Sequence, residues 1–406
     1  MNTFAEFFAG VGLVHEALGE KGWECLWAND ICKDKKETYI ANFGQDSFWL
    51  GDVWDVVKTP SVIPAPCFLY TASFPCTDMS LAGERRGLDG EESGTLRALL
   101  EIVKSKRATG KHPYLIMLEN VQGFLTSKKG ADVAYTVESL NDLGYVVDLI
   151  ELDAIHFTPQ SRPRVFLFAL REEVAYETML VKDRDAILDS WWSIFESNPQ
   201  LRTAKIKALV SEYGHLRWGA FNVPKPPKRV VQLADIIEYE ADQKKESWWN
   251  EERKQHLYGQ MSDLHKNFLH KMMEKSAYSY GTVYRRSRNN KSAAELRVDG
   301  IAGCLRTPRG GSSKQILVRA GNGDWGARLL TPREYARLQG VGDHYILPEN
   351  DNKGYFAMGD AVCVPAIRFI ADHIINPTYQ KVSKCIEKEL SASSQKASSD
   401  CIMVVA

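Results

Sequence analysis

No two of the eight cysteines, Cys25, Cys32, Cys67, Cys76, Cys304, Cys363, Cys385 and Cys401, stand in a C-x-x-C arrangement. That absence argues against a zinc site or a disulfide framework, so no metal is expected and most of the thiols should be small buried apolar groups. Long apolar runs are lacking too: the stretches fall well short of the roughly 18 residues a membrane helix needs, and Met1 to Phe8 has no basic segment ahead of an apolar one. The expectation is a cytoplasmic, unprocessed protein that engages no membrane. Net charge is almost missing, with 51 lysines and arginines against 52 acidic residues. This excludes a uniformly basic nucleic-acid coat and a strongly acidic solvating chain, so any charged binding face must be local. There is no internal repeat. What remains is an ordinary globular composition, 44% hydrophobic and 25% charged over 406 residues, enough for roughly two to three domains.

The first 170 residues alternate short apolar runs with amphipathic stretches, the pattern of a doubly wound α/β domain. Strands are expected at Thr3 to Phe8, Glu24 to Ala28, Cys67 to Ser73, Tyr114 to Leu118, Tyr145 to Leu152 and Val165 to Leu170. Leu96, Leu99, Leu100 and Val103 share one face of a helix predicted over Gly94 to Lys106. After Leu170 the character changes to a mixed region bearing Trp191, Trp192, Trp218, Trp248 and Trp249, interrupted by the proline-rich link from Val223 to Arg229. Between Gly281 and Ala320 the basic residues exceed the acidic ones by 7, which supplies the local basic face. Thr331-Pro332-Arg333-Glu334 reads as a helix start with a capping box, and Gly340 as its end. The boundaries are 1–170 for the first domain, 171–327 for the second with a helical insertion, 328–386 for a return to the first, and 387–406 for a poorly ordered tail.

The chemistry-bearing residues fall where strands end. Phe8-Ala9-Gly10-Val11-Gly12 follows the first strand, and its glycines permit a tight turn and close backbone approach to a ligand. Asp30, eighteen residues after Gly12, has nearly the spacing at which an acid accepts from ribose hydroxyls, so an adenosine-containing cofactor competes with a purely structural turn. Pro75-Cys76 ends another strand, where open α/β sheets place ligands, and the glycine-bearing Leu81 to Gly90 has the makings of a closing loop. Glu119-Asn120-Val121 and Gln160-Ser161-Arg162-Pro163-Arg164 end two more. Taken one at a time, each also reads as a strand-end cysteine, a capping acid or a surface arginine pair.

Taken in order, with the Arg333 to Gly340 helix and Gly359 to Val362, these segments resemble the motifs of the cytosine-C5 DNA methyltransferase family, prokaryotic or viral in type. The resemblance implies a Rossmann-like, doubly wound S-adenosylmethionine-dependent methyltransferase domain with a smaller, mixed target-recognition domain. It implies that Cys76 adds to C6 of a flipped cytosine, which turns C5 into a nucleophile for the methyl group. Glu119 would be a buried acid donating to N3, Arg164 would hold O2, and Arg162 would orient the acid and meet phosphate. For the cofactor it implies Phe8, Gly10, Gly12, Asp30, Ile31, Asp52 and Val53, with Pro75 and Leu96 at the sulfonium end and Asp360 and Ala361 at the methionine end. Double-stranded DNA would meet the basic segment, through candidates Arg285, Arg286, Arg288, Asn289, Asn290, Lys291, Arg306 and Arg309. A monomer, paired with a cognate restriction endonuclease, completes the expectation.

The sequence departs from the family pattern at Glu6, where aspartate is usual, at Asp360, where asparagine is usual, at Cys304 in place of a threonine, and around Glu92-Ser93, where an arginine is common. Asp360 is the least conservative, because a carboxylate there would repel the carboxylate of the cofactor. One branch of the family methylates tRNA, but its Cys-Phe-Thr signature is absent from the recognition region. A non-catalytic DNA-binding homologue would not need Cys76, Glu119, Arg162 and Arg164 together, and a nicotinamide-dependent dehydrogenase leaves Pro75-Cys76 and Gln160 to Arg164 unexplained.

Overall fold

Along Thr3–Phe7 (β1), successive side chains enter two different apolar layers: Phe4 packs with Leu13, Val14, Ala17 and Leu18, while Ala5 and Phe7 pack with Trp27, Val53 and Tyr70. Leu115–Val121 (β5) repeats the pattern, Leu115 and Met117 to the first layer and Ile116 and Leu118 to the second. Alternation with both faces buried is what a sheet covered by helices on each side requires. The computed structural model describes residues 2–64, 66–75, 87–90, 94–181, 192–193, 196–238, 242–288, 291–307 and 314–388. Cys76, Asn289, Asn290, Arg309, most of the expected closing loop and the tail from 389 lie outside these described residues.

The sheet has seven strands. Besides β1 and β5 they are Glu24–Asp30 (β2), Phe48–Leu50 (β3), Leu69–Ser73 (β4), Tyr145–Asp153 (β6) and Pro163–Arg171 (β7), in the order β3-β2-β1-β4-β5-β7-β6. All pairings are parallel except those of β7, which runs antiparallel to both β5 and β6. The sequence reading missed β3, a three-residue edge strand, and ended β5 before Glu119 and began β7 after Arg164. The glutamate and the arginine are therefore strand residues, not loop residues. Because β7 is reversed, its start lies at the same edge of the sheet as the ends of the other six, so the turn after β1, Asp30, Pro75, Glu119 and Arg164 lie at that edge.

Leu13–Gly19 (α1) covers the first face together with the C-terminal helices. Val53–Lys58 (α3), Thr95–Ala108 (α4) and Ala131–Asp142 (α5) cover the second, with Lys33–Phe43 (α2) beyond β2. Leu96, Leu99, Leu100 and Val103 of α4 are all buried, as their spacing predicts. The described residues of 172–181 and 196–221 pack with the first core, beyond the boundary expected at 170. Their helix Ala204–Glu212 and the fully buried Trp218 belong to the second-face core, and Arg202 donates to Asp148 of β6 at 2.6 Å with both side chains buried. The boundary moved because a composition shift marks a change of sequence character, not the edge of a core.

A separate core forms around Ser279–Arg288 (β8), Lys291–Arg297 (β9), Ile316–Gly321 (β10) and Asp324–Leu329 (β11), an antiparallel sheet in the order β9-β8-β10-β11. Helices Glu251–Gly259 and Asp263–Met273 pack on one face of it through Leu257, Leu269 and Met272. Leu317, from the other face of β10, joins the first-face core of the seven-stranded sheet instead. The chain then returns: Pro332–Leu338 starts with the expected capping box, Thr331 accepting from the Glu334 amide, and Gly340 follows it with φ of 76°. The helical run from Asp351 to Lys388 is long and apolar enough to cross a membrane by composition, contrary to the sequence expectation; most of its apolar window is buried against the sheet, as in a core helix.

Candidate active site

The turn after β1 is built from strained and open positions. Phe8, Gly10 and Gly12 have φ of 55°, 60° and 81°. A Cβ on Gly12 would lie 2.5 Å from Phe43 and 2.8 Å from Tyr39, so only glycine lets the turn sit against α2. A Cβ on Gly10 would meet nothing within 4 Å; the space beside it is open. Asp30 holds the turn from β2, its Oδ2 accepting from the Gly10 amide at 2.9 Å and its Oδ1 from the Cys32 amide at 2.8 Å. Ile31, the next residue, is 69% exposed, an apolar side chain presented outward at a strand end. Asp52 caps α3 by accepting from the Trp54 amide, beside a buried Val53. Asn29, which sequence reasoning passed over, ties this part to β2 by donating to Trp49 and Gly51 carbonyls.

Beneath the turn, the buried Glu6 is pushed well above the usual carboxylate range by desolvation, opposed by the His15 backbone amide and reinforced by Asp30. His15 stacks on Phe43 and bonds the Tyr39 hydroxyl at 2.7 Å; its burial lowers its pKa to about 4. Leu96, expected at the sulfonium, is fully buried in the second-face core and presents no surface. Pro75 is half-buried.

At β5 and β7 the register decides the chemistry. Val121 pairs with Arg164 and Glu119 with Phe166, so Glu119 and Arg164 are diagonal neighbours on one face. Arg164 Nε donates to Glu119 Oε1 at 2.9 Å, and Glu119 is buried. Arg162 does not take the role expected of it. It is buried, and its guanidinium donates to the carbonyls of Leu305 (2.9 Å), Gly359 (3.2 Å) and Ala361 (2.7 Å), not to the acid and not outward to phosphate. The physical reason is its position just before β7, where its side chain runs beneath the last motif. Asn120, inside the Glu119 to Val121 motif, donates to the Phe74 carbonyl at 3.1 Å and thereby fixes the segment leading to Pro75 and Cys76. Gln160 and Gln339 complete a buried polar hub: Gln160 reaches Leu338 and Leu305, and Gln339 reaches Met358 and Ala361. Cys304 sits against both arginines, 3.4 Å from Arg162 Nη1. Burial alone would raise its thiol, but Arg162 and Arg164 outweigh burial and hold it below the ordinary value.

The basic segment divides between two faces. Arg285 and Arg286 are adjacent on β8 and so point to opposite sides. Arg286 is exposed, packs over Tyr284 with Arg306 and pairs with Glu295 at 3.2 Å. Arg285 is half-buried beside Arg253, on the side that carries Val283 into the helix-packed core, which corrects the expectation that both reach outward. Arg288 and Lys291 pair at the end of the β8–β9 hairpin. Part of the +7 charge is used internally: Arg319 pairs with Asp242, which lies outside the segment.

An open sheet with a reversed seventh strand, a glycine turn after β1 and an acid–arginine pair at the carboxyl edge define the S-adenosylmethionine-dependent methyltransferase fold. The model of the C-5 cytosine-specific DNA methylases matches residues 2–376, and the chain belongs to that family. It is an enzyme, a DNA (cytosine-5-)-methyltransferase. Similar proteins include the type II methyltransferase M.DsaV of Dactylococcopsis salina, 26% identical over 92% of this chain and 86% of that one, and M.HpaII of Haemophilus parainfluenzae, 25% identical over 92% and 89%. Among solved structures, the S. pombe Dnmt2 methyltransferase superposes with a TM-score of 0.55 at 16% identity, over 93% of this chain and 99% of that one; it supports the fold.

Proposed function

We propose that this chain is the sequence-specific methyltransferase of a type II restriction-modification system, working as a cytoplasmic monomer on double-stranded DNA alongside a cognate endonuclease. The names of its relatives support the context. The observation that carries the catalytic part is the Glu119–Arg164 pair, diagonal across β5 and β7 at the carboxyl edge of the sheet.

Residues at that edge fit S-adenosylmethionine. Open space beside Gly10, the exposed Ile31 and the Asp30 carboxylate next to it suit a bound adenosine, with Phe8, Gly12, Asp52, Val53, Pro75, Asp360 and Ala361 around it. When bound, the cofactor supplies an electrophilic methyl group at its sulfonium. Cys76 is the nucleophile: its thiolate bonds to C6 of the flipped cytosine, and its departure after loss of the C5 proton restores the ring. Glu119 engages N3, oriented by Arg164, whose guanidinium, which also donates to the Pro163 carbonyl at 2.9 Å, meets O2. Asn120 holds the Phe74 carbonyl, two positions before Cys76 in sequence. Arg162 acts as a structural tie that joins the recognition unit, built on residues 249–329, to the last motif. Arg286 and Arg306, with Arg288, Asn289, Asn290, Lys291 and Arg309, supply the DNA contacts.

The test is methyl transfer from labelled S-adenosylmethionine to DNA isolated without modification, followed by bisulfite sequencing. Label confined to cytosine C5 within one short motif is expected. Incorporation into tRNA and not DNA, or none with cofactor bound, would sink the reading.

A further inference from the structure

Asp360, the least conservative departure from the family pattern, does not stand alone. Lys35, in the first turn of α2, places its Nζ 3.3 Å from Asp360 Oδ2 at the end of the helix Asp351–Asp360. Lys35 follows Asp30 and Ile31 in the chain, and its charge is held by both carboxylates: burial disfavours the ammonium, yet Asp30 and Asp360 outweigh burial and raise its pKa. The ammonium is therefore paired with the acid proposed for the methionine end and feels the charge of the acid proposed for the ribose, and its ion pair links α2 to the helix that ends at Asp360. The side chain is only about a quarter exposed, at 27%.

We propose that Lys35 is a positioning residue for the amino-acid end of the cofactor, the counter-charge that allows an aspartate to stand where asparagine is usual. This rests on the S-adenosylmethionine reading above. Asp360 can accept from the cofactor's ammonium, while Lys35 cancels the repulsion that Asp360 would exert on the cofactor's carboxylate. A lone Asp360 would leave that repulsion uncompensated. The competing explanation is purely structural. Lys353, on the same helix as Asp360, pairs with Asp34 at 2.9 Å and Glu37 at 3.6 Å on α2, so Lys35–Asp360 would be one more link in a series of ion pairs. The two explanations differ in which part of the ligand they affect.

The experiment measures, by calorimetry on the full chain, the binding of S-adenosylhomocysteine and of 5′-methylthioadenosine, which has the adenosine and thioether but neither the amino nor the carboxyl group. Lys35→Ala should weaken S-adenosylhomocysteine about tenfold, the loss of one charge-assisted interaction, and leave methylthioadenosine within about twofold. Lys35→Arg should bind both nearly as wild type does. Adding Asp360→Asn to Lys35→Ala should restore S-adenosylhomocysteine to within about threefold of wild type, since removing the uncompensated carboxylate removes the repulsion. Unchanged S-adenosylhomocysteine binding in Lys35→Ala, equal losses for both ligands, or no recovery in the double variant would each overturn the proposal. A wild-type chain that binds neither ligand would instead overturn the cofactor reading beneath it.

Discussion

Glu119 and Arg164 are 45 positions apart in sequence and meet at 2.9 Å because β5 and β7 run antiparallel with Val121 opposite Arg164. A parallel seventh strand would carry the arginine to the far edge of the sheet. The reversal of β7 thus places an acid and the cation paired with it on one face, at the edge where β1 and β4 also end.

Glu119→Gln should lower the rate of methyl transfer by about 10²-fold or more, the range for loss of a positioned acid, while S-adenosylhomocysteine binding stays within about twofold. Arg164→Lys should not rescue the geometry, because a single ammonium cannot bond Glu119 and face the base at once. Single-turnover rates with saturating DNA measure this. A Glu119→Gln rate within tenfold of wild type would remove the acid from the mechanism.

Cys76→Ser should abolish turnover and retain binding of DNA and cofactor analogue, since an alcohol is a far weaker nucleophile than a thiolate at neutral pH. Turnover and gel-shift affinity are compared on the same preparation. Activity within tenfold of wild type would mean that another group attacks C6.

Arg162 makes a contrasting prediction because its partners are backbone carbonyls from two distant segments. Arg162→Ala leaves buried acceptors without donors, at about 1–3 kcal/mol for each such group, so a stability loss on the order of 3 kcal/mol is expected. Urea unfolding should show the loss as a lower midpoint. Arg164→Ala, whose side chain is more accessible, should lose less stability and more activity. Equal stability losses would contradict the division of roles.

Much of this was legible beforehand. Alternating apolar runs revealed five of the six strands on the parallel framework, and Thr331 with Glu334 marked a capping box that forms as read. The motifs marked the residues proposed for the site, yet the different partners of Arg162 and Arg164 were not legible, because they depend on the register of β5 against β7, and local sequence leaves register open. The edge strand β3 was missed for its length, and the helix Ala204–Glu212 and Trp218 were assigned to the second domain because Trp218 and Ile206 look no different from residues of an independent core. Lys35 carried no signal: a lysine in a polar first turn gains meaning only from Asp360, which the fold brings to it.

On β8 the alternation of Arg285 and Arg286 separates two effects on DNA binding. Arg286→Ala should weaken binding and reduce the slope of log K against log salt by about 0.9, one phosphate contact. Arg285→Ala should leave the slope unchanged and act on the stability of the recognition unit. Fluorescence anisotropy across a salt series decides between them; a smaller slope for Arg285→Ala alone would invert the assignment of faces.

His15 gives the fold a pH dependence that can be read without substrate. Burial lowers its pKa from the ordinary 6.5 to about 4, so below pH 6.5 the unfolded chain takes up a proton that the folded chain refuses. Stability attributable to His15 is therefore complete above pH 6.5 and declines as pH falls toward 4, by on the order of 3 kcal/mol if the full shift applies and less with solvent screening. The imidazole stacks on Phe43 and bonds Tyr39, the two rings that crowd Gly12, so its protonation should loosen the β1 turn first. His15→Asn, which keeps a polar partner for Tyr39 but cannot titrate, should flatten the pH dependence of the unfolding midpoint between pH 6.5 and 4. Identical profiles for the two proteins would show that His15 is not the group that senses acid.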